Sequence, residues 1–285
     1  MIDYLKIEIP QECIDEIKQK YDFALKIVPA TGEVVSHETA QEENLKITIK
    51  NGTYGFINGS LHKYNQEFNS GLFTRYQISD ALDKLCCKIS SDILNWKIKS
   101  VELGLNLKPL YPVESVINSL ISYRENLFTN ISDRSQKLIG KRANLSEYDV
   151  KVYNKSVQTD SQVSHPLRYE IKIKKMRQLR LGKSLLVGDL KTSEILNHFG
   201  YLLKWYWQFV HLSDETLLSS YRDERRSFLE KWQNPIYITK LRTDDFGRYK
   251  TERKKYLRLV RNVRNCDLSI YSQVLKSIDE RVLET

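Results

Sequence analysis

The sequence predicts an α+β fold, an antiparallel sheet with helices packed on one face, followed by a helical C-terminal region. Three observations carry this. Tyr4 to Ile9, Lys97 to Leu107, Glu147 to Tyr153 and Leu167 to Lys174 alternate apolar and polar residues, the period-two pattern of strands with one buried face. Asn51-Gly52 sits between two further runs, Asn44 to Lys50 and Thr53 to Asn58, the strongest short signal for a hairpin. From about Leu186 the apolar spacing becomes helical, with Ile195, Phe199, Leu202, Leu203, Tyr206 and Phe209 on one face.

The remaining elements follow in order. Pro10 opens a helix to about Tyr21, since proline suits a first helical position. Ile78 to Ile93 follows a helical period, and Val113 to Tyr123 is a short helix. Thr192 caps a helix over Ser193 to Val210, and Ser213 caps another to Trp232, which Asn234-Pro235 ends. Arg248 to Arg264 and Leu268 to Leu283 are two more. The expected division is an α+β domain over 1–183 and a helical, basic region over 184–285.

Composition narrows the class. The chain has 285 residues, 41% hydrophobic and 28% charged, ordinary values for a folded soluble protein. No apolar run approaches the ~20 residues of a membrane helix. Met1 to Pro10 alternates and carries acids, unlike a signal peptide, so a cytoplasmic protein is expected. Cys13, Cys86, Cys87 and Cys266 form no CxxC pair and no zinc-spaced cluster, and are expected as buried reduced thiols.

Net charge is +9 and unevenly placed. Lys240 to Arg264 holds ten Lys/Arg against Asp244, Asp245 and Glu252, a net of +7 over 25 residues. Arg168 to Lys183 holds seven Lys/Arg against Glu170 alone. Clusters of this kind, interleaved with tyrosine, suit a polyanion whose counterions are released on binding. The basic candidates are Lys63, Arg168, Lys172, Arg253, Lys254, Lys255 and Arg258.

Alternation assigns the faces. Val101, Leu103, Leu105 and Leu107 oppose Ser100, Glu102 and Asn106; Val150 and Val152 oppose Asp149, Lys151 and Tyr153; Leu167, Tyr169, Ile171 and Ile173 oppose Arg168, Glu170 and Lys172. If these three strands pair antiparallel, Glu102, Tyr153, Arg168 and Glu170 converge on one polar face. A tyrosine there can attack a phosphodiester if a cation stabilises its phenolate, and Lys155 or Lys151 is at hand. A divalent metal would polarise the phosphate.

The same segments resemble the filamentous-phage gene II replication initiators and, more distantly, the plasmid rolling-circle initiators of the Rep_trans group. Met1-Ile2-Asp3-Tyr4-Leu5 is similar to the family's opening strand. Asn58-Gly59-Ser60-Leu61-His62-Lys63-Tyr64, with Asn69 to Phe73 behind it, resembles its Gly-(Ser/Asn)-x-x-Lys loop. Ile98 to Glu102 resembles a strand bearing an acidic residue, usually Asp. Val152-Tyr153-Asn154-Lys155 resembles the Tyr-x-Lys nucleophile strand, and Leu167 to Lys174 the Arg-x-Glu strand after it. The match covers about residues 1–180.

The resemblance implies that Tyr153 attacks one strand at a replication origin and becomes linked to the 5′ phosphate. The freed 3′ hydroxyl then primes synthesis, and a second transesterification closes the displaced strand. It implies Mg²⁺ or Mn²⁺ as cofactor, origin DNA as partner, and a host helicase and polymerase as further partners. The catalytic candidates are Tyr153 and Lys155.

The chain departs from the two-histidine rolling-circle signature: its five histidines are isolated. Metal binding must therefore lean on carboxylates, Glu102 first and Glu170 second, as hard cations prefer. Glu102 in place of Asp lengthens the arm by one methylene. Asp3 falls in phase with Leu5, Ile7 and Ile9 and is expected as a buried hydrogen-bond acceptor on the apolar face; His62 is expected at the surface. Two rivals stand beside the enzyme: a non-cleaving DNA-binding repressor or accessory protein on the same fold, and an RNA-binding module, which would need exposed aromatics on the sheet.

Overall fold

Among the described residues, ten strands form one antiparallel sheet in the order β2-β3-β4-β5-β1-β6-β12-β11-β10-β9. The computed structural model describes residues 1–27, 34–66, 71–156, 167–263 and 269–284. The strands at the centre are β1 (Ile2–Ile9), β6 (Ile98–Leu107), β11 (Tyr148–Asn154) and β12 (Leu167–Ile173). On one side lie β2 (Ala24–Ile27), β3 (Val34–Glu42), β4 (Leu45–Lys50) and β5 (Tyr54–Ser60). On the other lie β9 (Thr129–Ser132) and β10 (Leu138–Asn144). A smaller sheet joins β7 (Leu120–Tyr123), β8 (Asn126–Leu127) and β13 (Val210–Leu212).

The hairpin signal is realised: Asn51 and Gly52 both take positive φ, 51° and 70°, as a type I′ turn requires. Sequence periodicity finds β1, β4, β5, β6, β11 and β12 within two residues at each end. It misses β2, β3, β9 and β10, whose polar or short runs give no clean alternation. The helix expected over Val113 to Tyr123 stops at Ser119, and its last residues become β7. Asn234 does not only end a helix: its side chain accepts from the Ile236 amide and starts another, Pro235–Asp244, with proline at its first position.

The sheet's apolar face is covered by α3 (Arg75–Lys88), α5 (Ser193–Trp207) and α10 (Ile270–Glu284), numbering helices along the chain after α1 (Ile14–Lys20), α2 (Leu61–Gln66) and α4 (Val113–Ser119). One core runs from Ile2 through Val101, Ile171, Phe199 and Trp207 to Ile278. The expected boundary at 183/184 lies along this one core. Helices on both sides of it bury the same sheet face, so no break in packing falls there. A second core gathers Ile121, Leu217, Leu229, Trp232, Tyr249, Tyr256 and Val260. It is built by α6 (Glu215–Ser219), α7 (Asp223–Trp232), α8 (Pro235–Asp244) and α9 (Phe246–Val263).

Among the described residues no helix is long and apolar enough to cross a membrane. Cys13 and Cys86 are half-buried and Cys87 is exposed, against the expectation of burial; Cys266 lies outside the described residues.

Candidate active site

The polar face of β1, β6, β12 and β11 collects the chemistry. The register sets Tyr153 opposite Arg168, Lys151 opposite Glu170 and Lys172 opposite Glu102. Glu102, Tyr153, Arg168 and Glu170 therefore share one face, as period-two strands dictate once they pair antiparallel. Tyr4 and Lys6 of β1 continue that face beside Glu102 and Ser100.

Asp3 joins them through a bulge. Ile2 pairs with Leu103 and Tyr4 with Glu102, so one residue of β1 is extra. The bulge re-aims the side chain from the apolar phase to the polar face, a common use of bulges near active sites. Asp3 Oδ2 accepts from Arg168 Nη2 at 2.6 Å and Oδ1 from Ser60 Oγ at 2.9 Å. Asp3 is thus the buried acceptor that the sequence suggests, but on the opposite face. The signal lay in the opening residues, where apolar Ile2 is out of phase with Leu5, Ile7 and Ile9.

Glu170 is the hub. Its Oε1 accepts from Tyr153 Oη at 2.8 Å and from Arg168 Nε at 2.9 Å, and its Oε2 lies 3.5 Å from Lys151 Nζ. Lys151 Nζ is also 3.5 Å from Glu102 Oε2. One carboxylate oxygen each from Asp3, Glu102 and Glu170 lie within 4.8 Å of one another.

Burial sets the protonation of the cluster. It pushes the Glu102 carboxyl up to about 7, and the Glu170 carboxylate adds to this against the pull of Lys151. It also raises the Tyr153 phenol, again reinforced by Glu170, while Arg168 pulls the other way. Lys155 drops to about 8 because burial and then Arg168 disfavour its charge. Burial alone would lower Arg168, but Glu170 and Asp3 outweigh it and hold the guanidinium charged.

Two glycines make room. A Cβ on Gly104 would lie 2.5 Å from Arg168 Nη2, so the arginine reaches Asp3 only across a bare backbone. A Cβ on Gly140 would lie 2.2 Å from Tyr153 Cβ. Their side-chain-free surface lets Arg168 and Tyr153 lie flat against the sheet.

The other sequence candidates divide. Arg168 is 5% exposed, and its guanidinium engages Asp3, Glu170 and Asn106. In this arrangement it serves as an internal counter-ion. The Tyr153 hydroxyl meets the Glu170 carboxylate. Lys155 is buried, with Arg168, Asp3, Glu170 and Lys63 as its electrostatic neighbours. Lys63 is exposed just after Ser60. Lys172 Nζ sits 4.8 Å over the Tyr4 ring. His62, expected at the surface, is buried and stacked on Phe73 with centroids 4.6 Å apart. Burial holds its imidazole down at about 4, so it stays neutral.

On α9, Lys254 and Arg258 are exposed, and Lys255 lies over the Phe228 ring at 4.6 Å. Arg253 turns inward toward Glu125 at 3.7 Å. Arg264 lies outside the described residues.

No family model matches the chain. No curated protein matches it either. Among solved structures it is similar to a rolling circle replication initiator protein from Geobacillus stearothermophilus. The identity is 11% and the TM-score 0.41, over 74% of this chain and 84% of that one.

Proposed function

We propose that the chain initiates rolling-circle DNA replication, cleaving and rejoining one DNA strand through a covalent 5′-phosphotyrosine on Tyr153. The observation that carries the reading is the 2.8 Å hydrogen bond from the Tyr153 hydroxyl to Glu170 within a triad of carboxylates. A neutral phenol is a poor nucleophile, and a carboxylate in contact can take its proton as the bond to phosphorus forms. Tyr153 Oη would attack the phosphorus, its proton passing to Glu170. The bond to the 3′ oxygen breaks, and that oxygen takes a proton from Lys155, whose lowered affinity suits a general acid near pH 8. Rejoining runs the same steps backwards, with a 3′ hydroxyl attacking the phosphotyrosine.

Asp3, Glu102 and Glu170 would hold Mg²⁺ or Mn²⁺. An all-oxygen donor set suits a hard cation, and such a cation would oppose the burial and the Glu170 charge that push the Glu102 carboxyl up. Such an ion supplies Lewis-acid polarisation of the phosphoryl oxygens. Arg168 fixes Asp3 and Glu170 relative to each other, and Lys63, Lys172 and the exposed cations of α9 would track phosphates. Origin DNA is the proposed partner, with a host helicase and polymerase acting after the nick.

One observation favours a second reading. Arg168, Lys151 and Lys155 match the three carboxylates in number, so the cluster can be stable as a closed ionic network. A non-cleaving DNA-binding accessory protein would keep such a network. The experiment that separates them mixes the chain with supercoiled DNA of its replicon and Mn²⁺. The enzyme gives nicked circles and a covalent adduct that peptide mass mapping assigns to Tyr153. DNA bound but uncut at every divalent ion tried selects the accessory protein.

A further inference from the structure

We infer that a basic cleft at the far end of β6 and β12 grips the backbone of the DNA strand whose phosphate enters the carboxylate site. The inference rests on the function proposed above and adds a second contact to it. The cleft has a volume of about 530 Å³, and five cations line it: Lys97, Lys99, Lys174, Lys175 and Arg177. Its floor is apolar, formed by Ile98, Met176 and Leu185, against which long basic side chains can lay their methylenes while keeping the charge in water.

Three of the cations have acidic partners. Lys99 meets Glu8 at 3.2 Å, Lys174 meets Asp149 at 2.6 Å, and Arg177 meets Glu147. Lys97 and Lys175 are exposed and have no ion pair among the described residues. Five cations against three acids leave the cleft net positive by two. Like charges gathered on an apolar floor repel at a cost that a polyanion relieves.

Position argues for the strand already in the site. Lys174 lies four residues beyond Glu170 along β12 and the residue after it, on the same face, with Lys172 between them. At ~3.3 Å per residue that is about 13 Å. A single strand laid along the face covers that distance within a few nucleotides. A strand with one phosphate at the carboxylates therefore passes Lys172 and arrives at the cleft without leaving the sheet face.

The test changes Lys97 and Lys175 together to Gln; both are exposed, so folding is preserved. Binding of a fluorescent single-stranded oligonucleotide is measured in EDTA, where cleavage plays no part, as a function of salt. Two lost contacts should lower the log–log slope by roughly 1.4. A control pair of exposed lysines on helices, Lys88→Gln with Lys276→Gln, should leave the slope near the wild-type value, because interactions beyond about 8 Å are largely screened. A slope unchanged by the cleft pair, in protein that still nicks replicon DNA, overturns the cleft and spares the enzyme. A lowered slope in protein that never nicks keeps the cleft and removes the enzyme. Equal losses from the cleft pair and the control pair overturn the cleft, since net charge alone would then explain them.

Discussion

The first cation of the strand cluster and the cations of the helix cluster meet opposite fates in the fold. Arg168 on its strand turns inward, 5% exposed, to neutralise Asp3 and Glu170, while Lys174, Lys175 and Arg177 after it stay exposed. The helix cluster on α9 leaves Lys250, Lys254, Arg258 and Arg261 exposed at spacings of four, four and three residues, one stripe along a helix. A run of positive charge in a sequence therefore does not by itself mean a surface for phosphate. What decides is whether the neighbouring strand brings carboxylates to the same face. β1 and β12 bring Asp3 and Glu170 to Arg168, while α9 has Glu252 alone, paired with Arg248 at 2.7 Å.

The largest effect should come from breaking the buried side of this comparison. Arg168→Ala leaves Asp3 and Glu170 buried without their counter-ion, which typically costs 3–5 kcal/mol. Chemical denaturation should show a loss of about that size. A loss under about 1 kcal/mol would mean that Arg168 is not the keystone described here.

Glu102→Gln should act in the reverse sense. Its carboxyl titrates near 7 in the fold against an ordinary value of 4.5. The folded state therefore binds the proton more tightly than the unfolded chain does, and the wild type loses stability as pH rises from about 4.5 to 7. The amide removes that loss. In EDTA the variant should be more stable than wild type at pH 8, by on the order of 3 kcal/mol, with the advantage vanishing toward pH 4.5. Mn²⁺ should raise the wild-type melting temperature more than that of the variant, because binding to the native state stabilises it. Equal shifts would remove Glu102 from the metal site.

The exposed side should respond least in stability. Lys254→Gln with Arg258→Gln should change it by less than ~0.5 kcal/mol, as surface substitutions do. The same pair should lower the salt slope of duplex binding by roughly 1.8, about 0.9 per lost contact. An unchanged slope would make the stripe a solvated helix face.

Much of the site was legible because strands read in twos. Once β6, β11 and β12 alternate, Glu102, Tyr153, Arg168 and Glu170 must share a face if the strands pair. Asp3 was hidden because one extra residue in β1 reverses the phase, and a bulge is visible in sequence only as the misfit of Ile2 with Leu5. Burial was hidden too. Alternation gives the face but not the depth, so Arg168 and Lys172 look alike as letters, yet one is enclosed and the other lies over Tyr4. The sharing of one core across residue 183 was illegible for a related reason. The change from strand to helical period marks a change of layer, and α5 and α10 are the second layer of the same body.

Whether Tyr153 is the nucleophile is decided by one pair of variants. Tyr153→Phe removes the hydroxyl bonded to Glu170 and keeps the ring against Gly140. Tyr148→Phe removes a hydroxyl from the opposite, apolar face, where it lies 3.5 Å from that of Tyr123. Both are assayed on supercoiled replicon DNA with Mn²⁺ for nicked circles and covalent adduct. Tyr153→Phe should bind the DNA but form neither, while Tyr148→Phe should form both. Nicking by Tyr153→Phe at the wild-type rate would contradict Tyr153 as the nucleophile.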